Sequence, residues 1–415
     1  MSGNGDGLRD EFEACFGGLA AIGQDPAGGW TRLAWTEEDR AARAWFEAEA
    51  GARGLAVEPD RAGNLWAWWP GPGEAEEGGV VAVGSHLDTV RRGGAYDGAL
   101  GVVSGLVAVG ELIARGVEPL RPVAVVAFAD EEGGRFEMPT FGSRLLAGTL
   151  DPAEVLGHAD QDGVTVAEAM AAAGADPDKA GPDPALLGRL AAFVELHVEQ
   201  GRGLADLGQP VGLATAMWPH GRWRLTLTGE ANHAGTTRLP DRRDPMLGLA
   251  AAVLAARAAA TELDAVATVG RVVVDPNSAN SVPGQVSAWL DARASKDQTL
   301  DWLVTAFQSA VDEAAGRNGL TTALAVESRS PGVSFDTDLT ARLATALNAT
   351  GREPPGLPTA AGHDAGALAA AVPTAMLFVR NPTGTSHSPS ESATLDDCLA
   401  GVQALATVIE ELACR

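Results

Sequence analysis

VVAVGSH, residues 80–86, is a short apolar run that ends in polar side chains, the pattern of a buried strand with chemistry at its C-terminal edge. The segment that follows, DGALGVVSGLVAVGELIARG at 97–116, has apolar residues at 100, 103, 106, 107 and 113, a helical stripe closed by Gly116. PVAVVAFA at 122–129 is another buried strand, again followed by acids, and AFVELHV at 192–198 is a third. Strand, helix, strand with functional groups at the strand ends predicts an open α/β sheet, in which ligands collect beyond the carboxyl ends.

Outward from that core the texture changes near 207–212 (LGQPVG). RWRLTLTG at 222–229 alternates polar and apolar residues, as a half-exposed strand does. An Ala-rich helix at 245–261, strands near 266–274 and 286–293, a helix at 299–316 and a strand at 320–328 follow. That β-α-β-β-α-β order is ferredoxin-like. The chain then resumes helix (337–349), strand (373–380) and closing helix (394–412). The expectation is an α/β catalytic domain over 1–210 and 329–415, split by a smaller α+β domain over 211–328. The Gly/Pro/Glu stretch at 70–79 reads as a loop.

Composition agrees with this division and narrows the function. At 415 residues the chain exceeds what one hydrophobic core supports. No apolar run is long enough to span a membrane, and the polar, acidic start (MSGNGDGLRDEFEACF) is unlike a signal peptide, so the expected location is cytoplasmic. Cys15, Cys398 and Cys414 lie far apart without CxxC spacing, which argues against a disulfide framework or a thiolate metal site. A net charge of −25 argues against nucleic acid or an anionic membrane as partner.

Of the seven histidines, all but His158 lie in strings rich in Gly, polar or acidic residues. A lone histidine is more often structural than a ligand, but these travel with carboxylates. GSHLDTV sets His86 and Asp88 two apart, on one face if the strand continues, where Asp88 can accept from the second nitrogen of His86 and fix its tautomer. Asp97 enters the next helix and could equally be its N-cap. Asp130, Glu131 and Glu132 follow a buried strand, where three consecutive acids repel one another unless cations sit among them. One such carboxylate can bind metal while its neighbour moves protons on the attacking water. His197 lies between Glu195 and Glu199, and His387 sits in a Ser/Pro loop, TSHSPSE at 385–391. Histidine and carboxylate ligands without cysteine suit Zn, Mn, Co or Ni.

Taken in order, His86-x-Asp88, Asp97-Gly98, Glu131-Glu132, HVEQG from His197, HAGTT from His233, GHDA from Gly362 and SHSP from Ser386 resemble the M20-type metallo-amidohydrolases. The branch they resemble holds N-carbamoyl-L-amino acid hydrolases, β-ureidopropionases and allantoate amidohydrolases, and the resemblance covers nearly the whole chain. Each motif alone is weak, but six or more in order are not coincidence. The resemblance implies a mixed-sheet, zinc-peptidase-like catalytic domain, with the inserted ferredoxin-like domain serving as lid and dimerisation surface. It implies two divalent ions per subunit. His86 and His197 would hold one, Glu132 and His387 the other, and Asp97 both. Asp88 would orient His86, and Glu131 would be the general base. His233 would stabilise the oxyanion from the partner subunit of a homodimer.

The resemblance also implies substrate contacts. Asn280 and Arg293 would grip the substrate carboxylate, the guanidinium in bidentate fashion. The plainer alternatives are an ion pair of Arg293 with Asp291 and a turn role for Asn280 before Pro283-Gly284. Gln200 would touch the ureido end or support a ligand, His363 and Asp364 would support the site without binding metal, and Gly362 would allow close backbone approach. Three departures fall near the expected pocket: His220 where a Gln is usual, Thr359-Ala360 where Ser-Gly is usual, and Arg380-Asn381 where Pro-Ser is common. The resemblance implies metal-dependent hydrolysis of the C–N bond of a small ureido acid, allantoate or an N-carbamoyl-L-amino acid, and the polar or cationic character of His220 and Arg380 leans the expectation towards allantoate. An aminoacylase or dipeptidase, or a non-catalytic metal-binding relative, is the alternative; His197 and Glu131 weigh against them.

Overall fold

The computed structural model describes residues 4–70, 79–351 and 353–415, with the side chains of 4–6 left aside. The stretch expected as a loop at 70–79 lies, apart from its two ends, outside the described residues. In chain order the strands are β1 (Ala56–Pro59), β2 (Leu65–Trp69), β3 (Val80–His86), β4 (Val123–Phe128), β5 (Leu190–Val198), β6 (Val211–Met217), β7 (His220–Thr228) and β8 (Asn232–His233). After them come β9 (Val266–Asp275), β10 (Ser281–Val282), β11 (Gln285–Arg293), β12 (Thr321–Ser330), β13 (Val333–Ser334), β14 (Gly356–Thr359) and β15 (Thr374–Val379).

The chain divides into two compact units, one running to Thr215 and resuming at Ser334, the other Ala216–Val333. The first is built on a nine-stranded mixed sheet in the order β1-β2-β4-β3-β5-β15-β6-β13, with β14 also on β6. β3 runs parallel to β4 and β5, and β5 parallel to β15. These four strands are buried along almost their whole length, which is why they read as continuous apolar runs rather than alternating ones. The antiparallel pairs β1–β2, β2–β4 and β15–β6 make the sheet mixed.

The helix Ala99–Ala114 departs from the expected single stripe. Its first eleven residues are all buried, whereas Ile113, counted in the stripe, is 37% exposed. The reason is two-sided cover. The sheet packs on one side and the helices Asn4–Ala20 and Leu395–Ala413 on the other, so polar residues are excluded all round until the last turns.

In the second unit β7, β9, β11 and β12 form an antiparallel sheet in the order β12-β7-β11-β9. Trp223, Leu225 and Leu227 of β7 and Val286, Ala288, Leu290 and Ala292 of β11 alternate inward. They pack with the helices Pro245–Glu262 and Asp297–Asn318 as one core, while Arg222 and Arg224 of β7 alternate outward and are exposed. The sheet order 4-1-3-2 in chain sequence is that of a ferredoxin-like unit. β12 continues to Ser330 because it pairs with β7 as far as His220, which carries this unit a few residues past 328. Among the described residues no helix is long and apolar enough to cross a membrane.

Candidate metal centre

The carboxyl ends of the parallel strands converge. His86 is the last residue of β3, His197 is next to last on β5, the Asp130–Glu132 acids follow β4, and the His387 loop follows β15. Backbone hydrogen bonding holds neighbouring strand ends level, so residues far apart in sequence arrive at one edge. His86 and His197 are each 1% exposed. The Nδ1 of His86 lies 3.1 Å from the Asp88 carbonyl and that of His197 lies 2.8 Å from the Val198 carbonyl. A carbonyl can only accept, so Nδ1 is the protonated nitrogen in each ring and Nε2 presents its lone pair inward.

Asp97 lies between the groups. Its Oδ1 is 3.5 Å from His86 Nε2 and 3.2 Å from His197 Nε2, and its Oδ2 is 3.5 Å from His387 Nε2. Glu132 Oε2 is 3.2 Å from the same His387 nitrogen. Three sets of donor atoms result, each within 4.8 Å: His86/Asp97/His197 and Asp97/Glu132/His387, which share Asp97, and Glu195/His197/His363. The helix is not capped by Asp97: its N-cap is Gly98 at φ 65°, without a side-chain cap. Gly98 is required there, since a Cβ would fall 2.3 Å from the His86 ring, and its N–H donates to His197 Nε2 at 3.2 Å.

The electrostatics ask for positive charge in the middle. Burial pushes the carboxyls of Glu131 and Glu132 well above their usual range, with the neighbouring carboxylates Asp364 and Asp97 adding to it. Burial alone would lower His86, but Glu131, Asp97 and Asp88 outweigh it and raise His86 well above the ordinary value. Asp97 is held well below its range, against its burial, by His197 and His86. Protons on the imidazoles or divalent cations can supply that charge. His86 Nε2 and Glu132 Oε1 are buried without a hydrogen-bond partner, so the residues present fit cations, and the absence of thiolate fits Zn, Mn, Co or Ni.

Asp88 holds the floor of the site differently from the expectation. β3 ends at His86, so the two residues do not share a strand face, and the Asp88 carboxylate stands 3.6 Å from His86 Nδ1. It accepts instead from the backbone N–H of Glu131 at 3.1 Å and of Glu132 at 3.0 Å, while its carbonyl takes the imidazole. Glu131 Oε2 comes to 3.6 Å from His86 Nε2. Gln200 donates to Asp97 Oδ2 at 2.8 Å, which puts it on the carboxylate that the two Asp97 sets have in common, and Ser386 Oγ joins at 3.0 Å. His363 packs edge-on to His197 with ring centres 4.5 Å apart; burial and His197 keep it well below its ordinary value, hence neutral. Gly362 has open space where a side chain would stand.

The roles of three residues escaped sequence reading. Glu391 is buried, accepts from the N–H of Tyr96 and of Asp97 at 3.0 Å each, and is pushed up to about 7 by burial and by Asp97. Glu195, fully buried, accepts from Ser85 Oγ and the Ala365 N–H, tying β3, β5 and the His363 segment together. Asn381 accepts from Thr383 and Gly384 and donates to the Thr385 carbonyl, shaping the loop that carries His387. Glu391 stood in the TSHSPSE string, the one signal available.

Arg380 corrects an expectation. Its guanidinium forks onto Asp397 at 3.0 and 2.7 Å, and with Asp396, Asp397 and Gly208–Pro210 it lines a separate cavity of about 970 Å³ that contains none of the metal-centre residues. The pull towards allantoate drawn from Arg380 therefore lapses. Thr359 accepts from the Ala361 N–H beside His363.

In the second unit His233 is exposed on β8, paired with Ser281 of β10. Its Nδ1 accepts from the N–H groups of Gly235 and Thr236 at 3.0 and 3.2 Å, so its proton is on the outward Nε2, a donor suited to a developing oxyanion. Asn280 is exposed beside it; its Oδ1 accepts from Ser278 and its carbonyl from the Ala234 N–H. Arg293 faces His220 across β11 and β7, and binds Asp291 at 2.9 Å, the plainer pairing set out from the sequence. Burial pulls His220 below its ordinary value, its Nδ1 resting on the Trp218 carbonyl.

Comparison with known proteins follows the same lines. The chain is 39% identical over 398 residues to the N-carbamoyl-L-amino acid amidohydrolase of Geobacillus stearothermophilus, covering 95% of this chain and 96% of that one. It is 33% identical to the allantoate amidohydrolase of Escherichia coli K12, covering 98% of both. A crystal structure of an amidase of the hydantoinase/carbamoylase family from Burkholderia vietnamiensis superposes with a TM-score of 0.87 at 33% identity, covering 98% of each chain. The model of the peptidase family M20/M25/M40 matches residues 82–411, which take in every residue of both donor sets, and the chain belongs to that family.

Proposed function

We propose that this protein is a metal-dependent amidohydrolase that cleaves the linear C–N bond of a small ureido acid, an N-carbamoyl-L-amino acid or allantoate. The observation that carries the reading is Asp97, whose two oxygens face two separate donor sets with Glu131 alongside. Its amidohydrolase relatives give the reaction class. His86 and His197 would hold one divalent ion, Glu132 and His387 the other, with Asp97 placed between the two donor sets. Such ions, when bound, lower the pKa of water and polarise the scissile carbonyl. Glu131 takes the proton from the attacking water and carries it to the leaving nitrogen, a task for which a carboxyl raised by burial is suited. Asp88 holds Glu131 and Glu132 in place through their backbone N–H groups.

In the second unit His233 donates Nε2–H to the oxyanion of a partner subunit's substrate, and Asn280 and Arg293 grip the substrate carboxylate; in the first unit Gln200 contacts the ureido end or supports Asp97. The Ala216–Val333 unit serves as lid and dimerisation surface. Support for the homodimer is the edge of β9, unpaired among the described residues, where Val272 and Val273 are 42% and 50% exposed, and Leu254 on the neighbouring helix at 72%. Two assays test the reading. Metal-loaded protein is expected to release ammonia from N-carbamoyl-L-amino acids or allantoate, and inertness towards both would refute it. Mixing His233→Ala with a His86→Ala variant is expected to restore part of the activity in hybrid dimers; no recovery would remove the shared site.

A further inference from the structure

We infer that Glu391 is a positioning residue that selectively sets the loop-borne half of the metal centre by tying the Asp97 segment to the His387 loop. The inference rests on the metal-centre reading above. Glu391 is 6% exposed, and one of its oxygens accepts from two consecutive N–H groups, those of Tyr96 and Asp97. Its own N–H donates to the Ser388 carbonyl at 3.0 Å, closing the turn immediately after His387. One residue thus fixes, through its side chain, the backbone of the residue common to both donor sets, and through its own N–H closes the turn beside a ligand 290 positions away (387 against 97).

The chain makes room for this contact. A Cβ on Gly94 would lie 2.1 Å from Glu391 Oε1 and 2.6 Å from its Cβ, so only glycine lets the carboxylate reach the 96–97 amides. The dependence is one-sided because of how each ligand is held. His86 and His197 are fixed by strand ladders and by carbonyl bonds at Nδ1. His387 has no strand behind it: it sits at φ 52°, a conformation unfavourable for histidine that its surroundings must impose. Asn381 shapes the loop before it and Glu391 the turn after it.

The test is ion stoichiometry and affinity by calorimetry and elemental analysis, using zinc and manganese on the full chain, for wild type, Glu391→Leu, Glu391→Gln and Gly94→Ala. Wild type is expected to bind two ions. Leu removes the acceptor and Gly94→Ala displaces it, so both should weaken one ion by about 10–100-fold, the cost of losing a supporting partner, and leave the other unchanged. Gln keeps an acceptor oxygen and should hold both ions with near wild-type affinity. Should Glu391→Leu fail to fold, Gly94→Ala and Glu391→Gln still decide. Two ions bound at wild-type affinity in the Leu or Ala variant, equal weakening of both ions, or a Gln variant as impaired as Leu would each overturn the inference. A wild type that binds no pair of ions would instead overturn the metal-centre reading itself.

Discussion

His86 and His197 stand on strand ends with 1% of each side chain exposed, whereas His387 stands on a loop, 49% exposed and with left-handed backbone. The two arrangements meet at Asp97, yet different physics holds them. The first is inherited from the sheet: any sequence that forms β3 and β5 in this register brings those imidazoles together. The second is assembled from side-chain bonds, those of Asn381, Ser386, Glu391 and Asp88. A rigid half beside an adjustable half suits a site that must admit a substrate and still fix its reacting groups.

That contrast can be broken most severely at the ligands. Replacing His86 by Ala is expected to abolish turnover and to cost the strand-held ion more than the about 10–100-fold lost with a supporting partner; His387→Ala should spare that ion and lose the other. Elemental analysis of both variants distinguishes them, and identical losses would erase the comparison. Next in size, Glu131→Gln should lower kcat by about 10²–10⁴-fold while both ions stay bound, since only proton transfer is removed. Undiminished turnover would deny Glu131 its role.

A smaller effect concerns pH. His86, Glu131 and Glu132 are all raised by folding. A group so raised adds stability below its unfolded value and loses it as pH climbs towards the folded one. Chelated protein should therefore melt lower at about pH 8 than at about pH 6, and added metal should shrink that difference. A melting temperature that rises with pH over this window would contradict the sign. Smallest of all, Arg380→Ala should leave kcat/KM within about twofold, because its guanidinium serves the buried Asp397 rather than the substrate.

Much of this was legible in the chain because it is local. Apolar runs marked β3, β4, β5 and β15, alternation marked β7, and each ligand histidine lay within a few residues of an acid. What the sequence hid is long-range. Glu391 meets Asp97 across 294 positions, and Glu195 meets Ala365 across 170. Arg380 looked like a pocket cation because its partner, Asp397, lies one helix start further on, where nothing in the local string announces the pairing. Asp88 turns on a smaller matter: it shares a face with His86 only if the strand continues, and the strand ends at His86, so the carboxylate meets the acid loop's amides instead. Ile113 shows the same limit, since periodicity cannot tell that a helix will be covered on two sides.

The most direct measurement is anomalous diffraction from metal-soaked crystals at the absorption edge of the ion supplied. The account predicts two peaks flanking the Asp97 carboxylate, one contacted by His86 and His197, the other by Glu132 and His387. A single peak, or peaks away from Asp97, would contradict it.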